Sequence, residues 1–209
     1  MSAYGPTNLQ HDLALSDAAL ARIEAHRAIL ADWSQRMNLV GPKELDLYWK
    51  RHALDSAQLV RLAPEAKRWV DLGAGAGFPG LIVAAILADT PGAEVTLVES
   101  IGKKATFLRE AIAAMGVPAK VLHGRVEDVL GKAGRCDVVT ARAFAPLPRI
   151  MDYARPILSR GAVGLFPKGA DLDGELAATQ AAGWTLAYDV HESLSDPSGR
   201  ILRVTSARR

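Results

Sequence analysis

The chain has 209 residues, of which 49% are hydrophobic and 23% charged, and its formal net charge is +2. These values are typical of one well-packed globular domain, and the longest apolar run, Leu81–Ala88, is too short to cross a bilayer. A single cysteine, Cys136, excludes an internal disulfide framework and a cysteine-cluster zinc site. We therefore expect a cytoplasmic protein without a secretory signal, in which any nucleic-acid partner would meet a local basic patch.

The first third of the sequence predicts helices only. Residues 1–15 are polar and irregular, whereas Ser16 and Asp17 are typical of a helix N-cap and precede apolar residues at helical spacing. Gly41 and Pro42 end that helix, and a second helical stretch is predicted over residues 44–62. We interpret residues 1–67 as a helical N-terminal extension and residues 68–209 as one compact core.

From residue 68 onward, strand and helix patterns alternate. Strands are predicted at 69–72, 94–99, 119–123, 136–140, 162–167, 184–191 and 200–206, with helices near 79–89, 102–115, 126–131, 147–158 and 171–182. Alternation of this kind predicts a parallel sheet, but the linker before the last strand is short enough only for a hairpin. The predicted fold is therefore α/β and Rossmann-like, with seven mostly parallel strands and an antiparallel last strand.

The most informative segment joins the first predicted strand to its helix. It reads Trp69-Val-Asp-Leu-Gly-Ala-Gly-Ala-Gly-Phe-Pro-Gly80, and its glycines at 73, 75 and 77 allow the main chain to approach a ligand closely. Such a turn presents the ligand to a helix N-terminus at the carboxyl end of a strand, where open α/β sheets bind nucleotides. We therefore predict an adenosine-containing cofactor.

Two cofactors compete for this turn, a nicotinamide dinucleotide and S-adenosylmethionine. Both kinds of enzyme place an acid at the end of the second strand to hold ribose hydroxyls, and here that acid is Glu99. Three features favour the methyl donor: the Gly-x-Gly-x-Gly spacing, the closing hairpin without a second catalytic domain, and Asp71, placed to meet a cationic amino acid moiety. The predicted cofactor ligands from this reasoning are Asp71, Gly73, Gly75, Gly77 and Glu99.

The segment after the fourth strand bears on the methyl acceptor. It reads Thr140-Ala-Arg-Ala-Phe-Ala-Pro-Leu147, without the Asn/Asp-Pro-Pro-aromatic tetrad of exocyclic-amine methyltransferases, and Cys136 is interpreted as packing rather than as a nucleophile. Guanine N7 carries a free lone pair and needs no base. Arg142 then either binds guanine or a phosphate, or braces the cofactor site, and Phe144 either stacks on a base or packs in the core.

Several segments together resemble one family. They are Val70-Asp-Leu-Gly-Ala-Gly-Ala-Gly-Phe-Pro-Gly80, Glu99-Ser-x-x-Lys-Lys-x-x-Phe-Leu108, Thr140-Ala-Arg-Ala-Phe144, Phe166-Pro-Lys-Gly169, Trp33-Ser-Gln-Arg-Met-Asn-Leu39 and Arg51-His-Ala-Leu-Asp-Ser56. The resemblance is to the RsmG family, also called the glucose-inhibited division protein B family, of bacterial 16S rRNA guanine-N7 methyltransferases. It covers residues 30–170 and leaves 184–209 without a motif.

The resemblance implies a class I methyltransferase fold, S-adenosylmethionine as cofactor and a guanine in the decoding-region loop of 16S rRNA as target. It also implies cofactor contacts at Gly73, Phe78, Val126, Glu127 and Arg142. We predict that Arg142 is in addition the catalytic residue, which orients the acceptor and the donor. The reaction would be direct displacement without a general base or a metal. The expected partner is 16S rRNA or the small ribosomal subunit, with no membrane, and the expected oligomeric state is a monomer.

Basic and aromatic residues near this site are hypothesised RNA contacts. They are Arg51, His52, Lys103, Lys104, Phe144 and Lys168. Three alternatives stay open: an i,i+4 ion pair of Arg51 with Asp55, a purely capping role for Glu127, and a plain solvated Lys168. A nicotinamide dehydrogenase and a non-enzymatic RNA-binding module remain the alternative functions.

Overall fold

The computed structural model describes residues 4–37 and 39–209. Within those ranges, seven strands form one sheet: β1 (Arg68–Leu72), β2 (Glu94–Glu99), β3 (Ala119–His123), β4 (Val138–Thr140), β5 (Val163–Lys168), β6 (Thr185–Glu192) and β7 (Arg200–Arg208). Their order in space is β3-β2-β1-β4-β5-β7-β6. Strands β1 to β5 are mutually parallel, and β7 is antiparallel to both of its neighbours. The predicted sheet and its antiparallel last strand are confirmed.

Helices cover both faces of the sheet. They are α1 (Pro6–Leu13), α2 (Asp17–Arg36), α3 (Pro42–Asp46), α4 (Asp55–Ala57), α5 (Gly80–Leu87), α6 (Gly102–Met115), α7 (Val126–Val129), α8 (Leu147–Leu158) and α9 (Leu172–Ala181). The bounds of α6 and α8 are those predicted from the sequence, and every strand agrees to within two residues. No helix in the described part of the chain is long and apolar enough to span a membrane.

The apolar run after the glycine turn forms α5, which is covered on both sides. All of its residues except Ile86 are buried, because one side contacts β1 and β2 while the other contacts α2 and α4. A helix that is apolar all round requires such a double cover. The N-terminal helices therefore complete the core, and Leu9, Ile23 and Phe107 belong to the same apolar cluster. The division of the chain at residue 67 stays a prediction.

The N-terminal prediction is wrong for residues 6–13. They were expected to be irregular but form α1, in which Leu9 is fully buried. Pro6 occupies the first turn, where its missing N–H is no loss, and the Asn8 side chain accepts the Gly5 N–H at 2.9 Å. Residues 1–3 of the same expectation lie outside the described residues.

The second predicted helical stretch, 44–62, is helical in the structure but is divided into segments of different helix type. The chain forms α3, a π-helical segment Tyr48–Leu54, α4 and a 3₁₀ segment Gln58–Leu62. π-helical turns are rare and concentrate at functional sites. This one carries Arg51 and His52 and leads directly into Asp55.

The sheet reverses its winding at β1. From β1 the chain moves outward to β2 and β3, then returns to place β4 on the other side of β1. The loops after β1 and β4 therefore diverge and leave a crevice at the carboxyl ends of the two strands, where open α/β sheets bind ligands. The glycine turn and the Arg142–Phe144 segment both lie at this crevice.

Candidate functional site

The glycine turn forms one wall of a cavity. Gly73 and Gly75 line it, and both have positive φ, 70° and 55°. A Cβ on Gly73 would lie 2.2 Å from the Phe144 ring, so no larger residue fits there. Gly77 does not line the cavity, and a Cβ on it would lie 2.5 Å from Leu81 of α5. Gly77 therefore allows the turn to pack closely on the helix, while Gly73 and Gly75 open the main chain to a ligand.

This first cavity has a volume of about 830 Å³ and lies at the carboxyl ends of β1, β2 and β4. It brings together many of the predicted site residues: Gly73, Gly75, Phe78, Glu99, Lys104, Val126, Glu127, Arg142 and Phe144. The other six predicted residues do not line it, and they are Asp71, Gly77, Arg51, His52, Lys103 and Lys168. Its size is that of a site for a nucleoside-sized ligand.

Glu99 ends β2 and presents a buried carboxylate to the first cavity. Its Oε2 accepts the N–H of Gly75 at 2.9 Å, and its Oε1 accepts the N–H of Ile101 at 2.8 Å. A carboxylate offers about four lone-pair positions, so each oxygen can accept one further donor from the cavity. Glu99 is thus rigidly held and able to bind hydroxyl groups.

Asp71 is placed differently from the sequence-based expectation. It lies beneath the glycine turn with 1% of its surface exposed, where its Oδ2 accepts the Gly80 N–H at 2.9 Å and its Oδ1 accepts the Thr140 hydroxyl at 3.0 Å. It therefore joins β1, β4 and the start of α5. This geometry gives Asp71 a structural role and does not support a direct contact with a cofactor.

Burial raises the pKa of Asp71 to about 7 from an ordinary value of 3.8, although the Gly80 and Thr140 hydrogen bonds oppose the shift. Between these two values the unfolded chain has lost this proton while the folded protein keeps it, so the free energy of unfolding falls as pH rises. An asparagine can accept from Gly80 and donate to Thr140. We expect Asp71→Asn to remove this loss of stability between about pH 4 and about pH 7.

Urea unfolding of wild type and Asp71→Asn at about pH 5 and about pH 8 measures the effect. The control is Asp89→Asn, because Asp89 is exposed and its bond with Arg22 lowers its pKa, so it titrates below this window. Equal pH dependence in wild type and Asp71→Asn would contradict the assignment.

The opposite wall of the first cavity is the start of α7. Val126 is buried there, and Glu127 accepts a hydrogen bond from the Tyr153 hydroxyl at 3.0 Å and lies 3.6 Å from Arg149. A hydrogen bond with its own backbone N–H and the Tyr153 hydroxyl lower the pKa of Glu127. Glu127 is therefore an ordered, charged group at the edge of the cavity.

Arg142 lies at the mouth of the first cavity and is held by three acceptors. Its Nη1 donates to the Arg51 carbonyl and to Asp55 Oδ2, both at 3.0 Å, and its Nη2 donates to His52 Nδ1 at 2.6 Å. The alternative pairing of Arg51 with Asp55 is wrong, since Arg51 lies 3.5 Å from Glu44 instead. Within residues 4–37 and 39–209, one Nη2–H and the Nε–H of Arg142 have no partner and are available to a ligand.

His52 connects Arg142 to the glycine turn. A guanidinium can only donate, so His52 Nδ1 is the acceptor and the ring proton is on Nε2. This Nε2 lies 3.0 Å from Glu44 Oε2, but the two atoms are not aligned for a hydrogen bond. Burial, and then the charge of Arg142, lower the pKa of His52 to about 4. The neutral ring stacks on Phe78 at 4.7 Å, and Arg142 lies 5.2 Å from the centre of the same Phe78 ring.

A second cavity of about 940 Å³ adjoins the first. Arg142, Ala143 and Phe144 line both cavities and separate them. The remaining wall comes from the N-terminal helices, the loop after β5 and the hairpin between β6 and β7. Among the hypothesised RNA contacts, Arg51, His52 and Lys168 line this cavity together with Phe144.

Lys168 ends β5 and is not a plain solvated lysine. Its side chain is 7% exposed, and its Nζ lies 2.6 Å from Glu175 Oε2, which also accepts the Leu147 N–H. Lys103 is exposed and lines neither cavity, whereas Lys104 lines the first. Lys168 is therefore buried in an ion pair with Glu175, whereas Lys104 lines the first cavity and Lys103 lies outside both cavities.

Four residues that contact this site were not predicted as site residues. Asp55 is the carboxylate partner of Arg142, and Glu175 is that of Lys168. The third is His26, whose Nε2 donates to the Ala76 carbonyl in the glycine turn, and the fourth is Tyr48, whose hydroxyl lies 2.9 Å from His26 Nδ1. Burial lowers the pKa of His26 to about 4, so it stays neutral. The spacing of Arg51, His52 and Asp55 was the available signal for Asp55. Glu175 is seven residues from Lys168 but on a different element, and His26 is 22 residues from Tyr48 and 50 from Ala76.

Cysteine and metal chemistry receive no support from the described residues. Burial, and next the charge of Asp137, raise the pKa of Cys136 to about 12, so the thiol is a poor nucleophile. Across residues 4–37 and 39–209, no three His, Cys, Asp or Glu side chains are grouped to hold a metal ion.

The chain matches a known protein family over most of its length. The family model of GidB, rRNA small subunit methyltransferase G, matches residues 19–197. The chain is 45% identical over 194 residues to ribosomal RNA small subunit methyltransferase G of Caulobacter vibrioides strain NA1000, covering 93% of this chain and 88% of that protein. It is 41% identical over 209 residues to the protein of that name from Methylorubrum extorquens strain PA1, covering 100% and 99%.

Solved structures agree in fold. An O-methyltransferase from Bacillus cereus in complex with SAH superposes with a TM-score of 0.63 and 15% identity over 95% of this chain and 96% of that one. Fibrillarin from Aeropyrum pernix, with natively bound S-adenosyl-L-methionine, gives a TM-score of 0.55 and 18% identity over 74% and 75%. The sheet, including its antiparallel strand, is thus the one found in class I methyltransferases.

Proposed function

Because the chain belongs to the rRNA small subunit methyltransferase G family, we propose that it transfers a methyl group from S-adenosylmethionine to N7 of a guanine in the decoding-region loop of 16S rRNA. The observation that carries this proposal is the pair of cavities that meet at Arg142 and Phe144. One has the features of a nucleoside-cofactor site, and the other is open to a macromolecule. A methyl donor and its acceptor need such a shared boundary.

The first cavity fits S-adenosylmethionine. The side-chain-free wall at Gly73 and Gly75 admits a ligand close to the main chain, and Glu99 retains acceptor capacity for ribose hydroxyls. Val126 offers an apolar surface and Glu127 an acceptor at the opposite wall, both suited to an adenine ring. Phe78 and Arg142 lie at the boundary toward the second cavity. The bound cofactor supplies a sulfonium methyl group to a lone pair of the acceptor.

The groups around the second cavity favour an acceptor that needs no base. Three of its carboxylates face cations: Asp55 with Arg142 at 3.0 Å, Glu175 with Lys168 at 2.6 Å, and Glu44 with Arg51 at 3.5 Å. We assign none of these three carboxylates to proton transfer, because each is engaged in an ion pair. Guanine N7 loses no proton when it is methylated, so positioning supplies the catalysis.

Arg142 orients the acceptor in this proposal. Its remaining N–H groups can donate to guanine O6 or to a phosphate, while Asp55 and His52 fix the guanidinium. Phe144 offers a ring at the boundary on which a flipped base can stack. Arg51, Lys103 and Lys104 are proposed contacts with the RNA backbone, which positions a substrate without reading its sequence.

The test is methylation of small subunits from a strain that lacks this enzyme, followed by nuclease digestion and mass spectrometry of the 16S rRNA. We expect one 7-methylguanosine in the decoding-region loop, with release of S-adenosylhomocysteine. A methyl group on another atom would contradict the N7 assignment. RNA binding without S-adenosylhomocysteine release would favour a non-enzymatic binding module instead.

A further inference from the structure

The loop between β6 and β7, residues 193–199, is held against the N-terminal helical segments. Ser193, Ser195, Asp196 and Gly199 of this loop line the second cavity. The Leu194 N–H donates to Gln58 Oε1 at 2.7 Å, and Gln58 is buried. A hairpin loop whose sequence carries no motif is thus an ordered wall of the site.

Asp55 connects this loop to Arg142 through a single carboxylate. Its Oδ2 accepts from Arg142, and its Oδ1 accepts from the hydroxyls of Ser195 at 2.8 Å and Ser193 at 3.4 Å and from Gln58 Nε2 at 3.2 Å. The Asp55 side chain is 15% exposed and that of Arg142 is 18% exposed, so water competes weakly for these bonds. Each oxygen therefore serves a different wall of the second cavity.

We infer that Asp55 is a positioning residue that couples loop 193–199 to Arg142, so that the loop forms a fixed wall against which the target nucleotide is held. This inference rests on the proposed function, because the second cavity receives the acceptor base. The two oxygens of Asp55 therefore affect different kinetic constants. The bond from Oδ2 to Arg142 governs kcat, and the bonds from Oδ1 to the loop govern KM for the substrate.

Variants of two serines in the loop, Ser195 and Ser198, test the effects on kcat and KM separately. Ser195 donates its hydroxyl to Asp55, whereas Ser198 donates to Asp196 at 2.8 Å and does not line the cavity. Ser195→Ala removes one bond to Asp55 and leaves Arg142 in place. We expect it to raise KM for small subunits about tenfold, the value at the low end for one hydrogen bond to a charged group, with kcat within about twofold of wild type.

Asp55→Asn keeps an acceptor for Arg142 but loses the charge. We expect it to lower kcat about tenfold or more and also to raise KM, since a charge-assisted bond is stronger than a neutral one. The double variant Asp55→Asn with Ser195→Ala should have the KM of Asp55→Asn alone, because the serine acts through Asp55. The matched control Ser198→Ala should stay within about twofold of wild type in both constants.

Hydrogen exchange of the free protein tests the coupling without any reaction. The amides of Leu194 and Ser195 should exchange about fivefold faster in Asp55→Asn and in Ser195→Ala than in Ser198→Ala. Exchange and KM of Ser195→Ala equal to those of Ser198→Ala would overturn the inference, as would an additive KM effect in the double variant. Failure of the wild type to form 7-methylguanosine would instead overturn the proposed function, and the exchange data would still decide the coupling.

Discussion

Replacement of Arg142 by alanine is expected to lower kcat for methylation of small subunits about 100-fold or more, while RNA affinity changes much less. The guanidinium lies between the two cavities, is fixed by three acceptors and lies against Phe78. Its removal also leaves Asp55 without its cation and His52 without its donor, so the boundary loses its order. Single-turnover rates at saturating cofactor, together with RNA binding measured separately, give the two quantities.

Two further variants make the Arg142 result specific. Arg142→Lys keeps the charge but cannot reach all three acceptors with one planar group, so an intermediate rate is expected. Arg22→Ala removes an arginine that is paired with Asp89 and lines neither cavity, and it should leave the rate unchanged. A rate constant for Arg142→Ala within about threefold of wild type would contradict its placement as a catalytic residue.

Substitution of Glu99 by alanine is expected to weaken the binding of S-adenosylhomocysteine about 10-fold to 100-fold. The carboxylate serves the turn and the ligand at once, because Gly75 and Ile101 donate to it from the main chain and its other lone pairs face the cavity. Without it, two partly buried N–H groups lose their acceptor and the cofactor loses its hydroxyl partner. Calorimetric titration with S-adenosylhomocysteine measures the change.

Glu94 provides the matched control for Glu99. It begins the same strand, is exposed and pairs with Lys120 at 2.7 Å, so Glu94→Gln should bind the cofactor as wild type does. The affinity of Glu99→Gln for S-adenosylhomocysteine should lie between those of Glu94→Gln and Glu99→Ala. The amide of Gln accepts one of the two main-chain N–H groups but presents its own N–H to the other. Affinity of Glu99→Ala within about twofold of wild type would remove Glu99 from the cofactor site.

Local patterns were sufficient for the core of the fold. Period and length identified the strands, the glycine turn located the cofactor side of the sheet, and the short linker before the last strand predicted its antiparallel direction. These features depend on residues that are close in sequence, so a single sequence carries them. The differences at α1 and at the π-helical segment have the opposite cause. These two elements pack on each other, α1 also contacts α2, and the Tyr48 hydroxyl of the π-helical segment donates to the Ile23 carbonyl of α2, which are contacts that no local pattern reports.

Two acids, Glu99 and Asp71, also differ in how well the sequence predicts their placement. Glu99 was predicted to face the ligand, and the structure places it in the cavity wall, because its position at the end of β2 fixes its direction. Asp71 also lies near the carboxyl end of its strand, yet it points under the turn to Gly80 and Thr140. The Thr140 contact comes from the neighbouring strand β4, which lies much later in the chain, so the local sequence does not report it.

The sequence by itself determined the class of fold, the family and the chain segments that meet at the crevice, since the hydrophobic period and the glycine turn act over a few residues. The tertiary structure decided which charges pair. Asp55 pairs with Arg142 rather than with Arg51, and Lys168 pairs with Glu175 rather than facing solvent. Arg142 and Asp55 are 87 residues apart, so their pairing exists only after the N-terminal helices have packed onto the sheet. Lys168 and Glu175 are seven residues apart, but Glu175 also accepts the N–H of Leu147, 28 residues away, so this pair too is fixed by the packing of the helices.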